Sequence, residues 1–163
     1  MQAGFVLDSY LYTTFHGANI NETVYLRQNK DCEIGRSVFA VHDKYADFCK
    51  VSLRNTITPR PLKYILNIEH ALSIIGKKVK MNGCNNQTTG YILQFCNTTD
   101  GVISWEAHIR VRIKTAQGDS GASLRLQDQE TTLIGLLRGQ SVAENKPEYP
   151  IAHFTPAYKL FTN

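Results

Sequence analysis

Ser120 stands in the tetrapeptide Gly118-Asp119-Ser120-Gly121, between strand-like runs at 109–113 and 122–126. A serine held in a tight glycine turn between two strands is presented for attack on a carbonyl. Glycine at 118 lets the backbone bend so that the amides of Gly118 and Ser120 converge on one point, the geometry that stabilises an oxyanion. The same four residues also suit an ordinary turn, so the chemistry needs a base and an acid as well. His16 follows a segment from Gly4 that reads as a hairpin, with strands at 5–7 and 10–14 joined by a turn at Asp8-Ser9. Asp47 opens a run in which Phe48, Lys50 and Ser52 alternate with Cys49, Val51 and Leu53, a half-buried strand entered by a carboxylate. Serine is a poor nucleophile at neutral pH. A histidine has to take its proton and pass it to the leaving group, and a buried carboxylate fixes the imidazole tautomer. His16, Asp47 and Ser120 in that order supply all three roles, and Asp43 is a rival for the acid.

The elements that must position these residues are short strands. In the first half they are expected at 5–7, 10–14, 24–27, 37–41 and 48–53. In the second half they are expected at 77–81, 90–95, 102–112, 122–126, 132–138 and 151–154. Thr58-Pro59-Arg60-Pro61 marks a crossing between the halves, and Ile65, Ile68, Glu69 and Leu72 have the approximate spacing of a short helix. Asn85, Asn86 and Gly90, and again Asn97, Asp100 and Gly101, read as turns. An apolar content of 42% and eight tyrosines exclude a disordered chain. No apolar run approaches the roughly 18 residues of a membrane span, and no signal peptide is visible.

Of the four cysteines, Cys49 falls on an inward strand position and reads as a buried thiol, whereas Cys84 and Cys96 flank a hairpin and their pairing stays open. Without a Cys-x-x-Cys pair, no metal site is expected. The sequons at Asn21, Asn86 and Asn97 are read as unused, and a reducing compartment is the expectation.

Together these residues resemble the trypsin-like (chymotrypsin-fold) serine protease superfamily, from Gly4 to about Thr155. They are most similar to the small proteases that positive-strand RNA viruses cut from their own polyproteins, of astrovirus, nidovirus or flavivirus type. Gly17 follows His16 where secreted animal relatives have a disulfide cysteine. Cysteines flanking the nucleophile loop are missing, and no activation-type N-terminus is present to pair with Asp119. The resemblance implies an all-β fold of two antiparallel Greek-key β-barrels with the active site in the cleft between them. Residues 1–57 would form the N-terminal barrel carrying His16 and Asp47, 58–76 the connection, and 77–163 the C-terminal barrel carrying Ser120 and the substrate pocket. It implies a serine endopeptidase that works through an acyl-enzyme and needs no cofactor or metal. It also implies a polypeptide substrate, a viral polyprotein, met in the host cell cytoplasm. Because His16 comes so early, one N-terminal strand is expected to be absent, replaced or supplied by another segment or a peptide cofactor.

In this superfamily the substrate adds a strand beside the one at 132–140, here along residues 136–139. The pocket for the residue before the scissile bond (P1) would be lined by Lys114 and Thr115, by Leu137, Arg138 and Gly139, and by His153. A lysine at 114 rejects basic side chains and attracts a carboxylate. Proteases that cut after glutamine have a threonine matching Thr115 and a histidine where this chain has Leu137, a place His153 would compensate. An acidic or amide P1 is therefore expected, against a plainer reading in which Lys114 reaches solvent and His153 packs in the core.

The net charge of +4, with Lys77, Lys78 and Lys80 in one cluster and Arg110, Arg112 and Lys114 in another, leaves weak RNA binding open as a second role beside a merely solvated face. A catalytically inactive binding module of the same fold is the alternative function. An esterase is disfavoured because the chain lacks βαβ units and a Gly-x-Ser-x-Gly elbow.

Overall fold

The computed structural model describes residues 4–14, 23–26, 29–55, 62–83, 86–100, 103–140 and 148–161. Five strands make the first sheet: β1 (Phe5–Leu7), β2 (Tyr10–Thr13), β3 (Thr23–Leu26), β4 (Asn29–His42) and β5 (Asp47–Leu53). Their order is β1-β2-β5-β4-β3, all antiparallel. The β1–β2 hairpin closes through two residues, Asp8 (φ +50°) and Ser9 (φ +68°), with Leu7 facing Tyr10. Positive φ at both central positions is what a tight hairpin requires to match strand twist.

After β6 (Lys63–Tyr64) and α1 (Ile68–Ser73), capped by the Asn67 side chain on the His70 amide at 2.9 Å, come β7 (Lys78–Asn82), β8 (Gln87–Asp100) and β9 (Ile103–Arg112). The chain continues through β10 (Ser123–Leu126), β11 (Thr132–Gln140), β12 (Ile151–Pro156) and α2 (Tyr158–Phe161). The spatial order is β10-β7-β8-β9-β12-β11-β6, and β10 also pairs with β11. That last pairing closes six strands into a barrel, and a closed barrel has no exposed edges. The run β10-β7-β8-β9 places a fourth strand beside the first of a three-strand meander, the Greek-key order. Only β6 runs parallel to its neighbour, β11.

The second barrel is filled by Val79, Met81, Ile92, Ile109, Leu124 and Phe154, all essentially buried. Between the sheets, Phe5 stacks on Tyr12 at 4.9 Å, and Phe161 of α2 meets the ring of Tyr12 at 5.4 Å and that of Tyr64 at 4.4 Å. The short β6 and α2 thus serve as bridges from the second barrel to the first.

Two strands far outrun their sequence-based bounds, and β11 and β12 each run two residues further than expected. β4 starts at Asn29 rather than 37, and β8 spans 87–100 rather than 90–95. Gly90 and Asn97 read as turn residues, yet both lie within β8. A Cβ at Gly90 would stand 2.0 Å from the Arg112 carbonyl, so this glycine serves close strand approach rather than a turn. Cys49 is fully buried, as its alternation predicts, while Cys84 lies outside the described residues. The basic row at 110, 112 and 114 is shorter than expected, because β9 ends at Arg112 and Lys114 lies beyond it. The expected helix is α1, six residues long, with Ile68 and Leu72 half exposed.

Candidate active site

Ser120 sits in the loop between β9 and β10, half-buried, and its hydroxyl makes no hydrogen bond among the described residues. The loop is shaped by two glycines of positive φ, Gly118 at +95° and Gly121 at +92°, values that L side chains rarely adopt. Several of its amides are occupied. Asp119 N donates to Ala116 O (3.1 Å), Gly121 N to Leu137 O (3.0 Å) and Ala122 N to Asp119 O (2.9 Å). The amides of Gly118 and Ser120 have no acceptor among the described residues. These two half-buried residues flank Asp119, and their amides remain able to donate to an added group.

Asp119 points inward. Its Oδ2 accepts from the Ala116 amide at 2.9 Å, and a Cβ added at Gly83 would come within 2.7 Å of its Oδ1. The loop is thus braced against the residue that follows β7. It is also pressed from the first sheet, since a Cβ at Gly4 would lie 2.8 Å from the Gly121 carbonyl and 2.5 Å from that of Tyr12. Glycine at 4 lets β1 begin against the Ser120 loop.

Asp47, the first residue of β5, is fully buried. Opposite it in register is His42, whose Nδ1 lies 3.3 Å from Asp47 Oδ2. The sequence had not singled out His42. Its position at the end of β4, paired with the strand that Asp47 opens, is legible only once the β4–β5 hairpin is known. The rival acid, Asp43, is exposed and its Oδ1 accepts from the amides of Tyr45 (2.8 Å) and Ala46 (2.9 Å), which makes it a turn-forming group. His16 lies outside the described residues.

The six residues assigned to the P1 pocket divide into groups. Gly139 and His153 face each other across β11 and β12. His153 is buried and meets the ring of Trp105 edge-on at 5.5 Å, while a Cβ at Gly139 would stand 3.2 Å from that indole. Trp105, which the sequence reading missed, belongs with them. Thr115 is tied to Gln140, whose Nε2 donates to Thr115 Oγ1 (2.7 Å) and O (3.1 Å). Lys114 is exposed, Leu137 is packed in the hydrophobic core, and the guanidinium of Arg138 is directed to the β4–β5 turn. Of the stretch 136–139 expected to pair with a peptide, the first two residues are already engaged. Leu136 is paired with Ser123, and both backbone groups of Leu137 are bonded to Gly121 and Ala122 beside Ser120. From Arg138 to Gln140 only β12 lies alongside among the described residues. No group of three or more metal-ligating side chains occurs among the described residues.

No protein-family model and no curated protein sequence matches the chain. Solved structures do match in shape. A chymotrypsin from Cellulomonas bogoriensis superposes with a TM-score of 0.73 at 16% identity, covering 98% of this chain and 85% of that one. Protease A from Thermobifida fusca gives 0.72 at 15% identity, covering 98% and 86%. A glutamic-acid-specific serine protease, described as using a histidine triad in substrate binding, gives 0.73 at 16% identity, covering 93% and 82%. The fold is therefore the chymotrypsin-like pair of β-barrels.

Proposed function

We propose that the chain is a serine endopeptidase in which Ser120 attacks the scissile carbonyl, His16 is the general acid–base and Asp47 orients it. The observation that carries this reading is the Ser120 loop, where the amides of Gly118 and Ser120, on either side of Asp119, are left without acceptors among the described residues. When Ser120 Oγ adds to the peptide carbon, negative charge gathers on the carbonyl oxygen. Donors already in place there need no reorganisation and stabilise that charge more than the neutral substrate. The proton leaving Ser120 passes to the His16 imidazole and then to the departing amine. Water repeats the sequence in reverse on the acyl-enzyme. The burial of Asp47 supports it as the acid, since a carboxylate removed from water holds an imidazolium strongly.

The test is labelling with a fluorophosphonate serine probe. The parent is expected to label, and Ser120→Ala and His16→Ala to lose labelling. His42→Ala is expected to stay within a few-fold of the parent. Labelling lost in His42→Ala but kept in His16→Ala would transfer the acid–base role to His42. A silent parent would favour the inactive binding module.

The substrate proposed is a polypeptide cut after an acidic or amide residue. His153, Gly139 and Trp105 together support a P1 pocket with an imidazole at its wall, and Lys114 adds positive charge at the surface. Matched peptides carrying Glu, Gln, Arg or Phe at P1 are expected to be cleaved with kcat/KM at least tenfold higher for Glu or Gln than for Arg. An Arg preference would overturn the pocket. What supports polyprotein processing in a host cytoplasm is the sequence alone: Gly17 after His16 and a nucleophile loop without flanking cysteines. Among the described residues no helix is long and apolar enough to cross a membrane.

A further inference from the structure

The β4–β5 turn belongs to the first sheet, but its backbone is held by the second barrel. Three consecutive carbonyls accept from it. Arg138 Nη2 donates to Asp43 O, the Glu106 amide to Lys44 O (2.7 Å), and Lys159 Nζ to Tyr45 O (2.7 Å). From inside the turn, the Asp43 amide donates to Ala46 O at 3.0 Å. The next residue is Asp47.

Two of these donors, Arg138 and the Glu106 amide, are aimed by irregularities in their strands. In β11, Leu137 faces Phe154 and Gly139 faces His153, so Arg138 is the extra residue of a bulge. In β9, Trp105 faces Thr98 and His108 faces Cys96, leaving two residues opposite one. The second of these, Ala107, has φ +52°, and its amide donates to Asn97 Oδ1 at 2.9 Å. Bulges redirect side chains. Alanine in the left-handed region costs about 1 kcal/mol and persists only where its surroundings over-determine it.

Two cations are buried here, Arg138 at 4% and Lys159 at 2% exposure. A buried charge is costly unless it is met by partners. Arg138 lies over the Trp105 ring at 4.7 Å and its Nη1 is 3.1 Å from His108 Nε2. Lys159 lies over the Tyr45 ring at 4.0 Å and donates again to Glu106 O at 2.6 Å. His108 Nδ1 is 2.8 Å from the same carbonyl, so Nδ1 carries the hydrogen and Nε2 accepts from Arg138. Burial pushes the Arg138 guanidinium below its ordinary pKa, and the Asp47 and Asp43 carboxylates oppose that shift. Arg138 is also next to Leu137, which donates to Ala122 O (2.9 Å) and accepts from Gly121 N in the Ser120 loop. One short path therefore joins the nucleophile loop, β11, the β4–β5 turn and Asp47.

We propose that Arg138 and Lys159 are positioning residues that clasp the carbonyls of Asp43 and Tyr45 and so fix Asp47 relative to Ser120. The proposal rests on the serine-protease reading above. The test compares Arg138→Met, Arg138→Lys and Lys159→Met with the parent, reading kcat and KM on a peptide substrate, probe labelling rate and amide hydrogen exchange. Lys159→Met keeps the unbranched stem and removes the donors, so it serves if Arg138→Met does not fold. Both Met variants are expected to lower kcat and labelling rate at least tenfold with KM within twofold of the parent. Amides of residues 45–47 are expected to exchange faster, while those of β7 and β8 are unchanged. Arg138→Lys is expected to recover part of the loss. Folded variants with the parent's kcat, or a loss confined to KM as for a residue that merely lines the P1 pocket, would overturn the clasp alone. An unreactive parent would overturn the protease reading and the clasp with it.

Discussion

Asp47→Asn is expected to lower kcat about 10⁴-fold, equivalent to about 5 kcal/mol of transition-state stabilisation, with KM nearly unchanged. Asparagine has almost the volume of aspartate, so the fully buried site is not emptied. What changes is the character of the group. The amide presents N–H donors where the imidazole needs an acceptor, which favours the wrong tautomer and withdraws the charge that stabilises the imidazolium. Asp43→Asn is the control. Its side chain accepts two amide bonds in an exposed turn, and asparagine still offers a carbonyl oxygen there, so kcat should stay within about threefold. Steady-state kinetics on one peptide checks both. A large loss in Asp43→Asn with a small one in Asp47→Asn would exchange their roles, and small losses in both would sink the triad.

Acid is expected to destabilise the fold from about pH 6.5 downward, through His108. Burial first, then the nearby Lys159, hold its imidazole down at about pKa 3, with Arg138 and His153 acting in the same direction and the Glu106 carbonyl opposing them. The unfolded chain takes up that proton near the ordinary 6.5, so between 6.5 and about 3 the unfolded state binds more protons than the folded one. Stability therefore falls with falling pH across this window, by at most about 1.4 kcal/mol per unit for this one group. Urea unfolding of the parent at pH 7 and pH 5 should differ by about 2 kcal/mol more than the same pair of measurements on His108→Gln. Parallel pH dependence in the two proteins would remove His108 from the account. Lys159 behaves oppositely in range. Its pKa is lowered to about 8, mainly by burial and then by Arg138, so its contribution to instability is complete below pH 8 and eases as pH rises toward 10.5.

The parts of this molecule that were legible in the sequence are those written locally. The Asp8-Ser9 turn, the carboxylate opening an alternating strand and the glycines around Ser120 each declare themselves within a few residues, because φ and the period of two are local properties. Strand ends were read less well. Gly90 and Asn97 resemble turn residues by type, but one admits a neighbouring carbonyl and the other accepts the Ala107 amide across a bulge. The clasp was out of reach for a different reason. Arg138 meets Asp43 across 95 positions and Lys159 meets Tyr45 across 114. By type and place in the chain Arg138 suggests a pocket wall and Lys159 suggests nothing, until topology brings three elements to one turn. Trp105 was passed over likewise, since its partners His108, Arg138 and His153 assemble only when β9, β11 and β12 are side by side.

The residue that β11 leaves unmatched against β12 also bears on how such a chain can change by descent. Leu137 and Gly139 already face Phe154 and His153, which are themselves adjacent. Losing the codon for Arg138 would leave every one of these partners in place and yield an uninterrupted ladder. A point mutation there would instead strand some other side chain at the barrel seam. The tie that Arg138 makes between the barrels is thus separable from the ladder, one that an in-frame triplet would add or remove while leaving the β11–β12 partners in register.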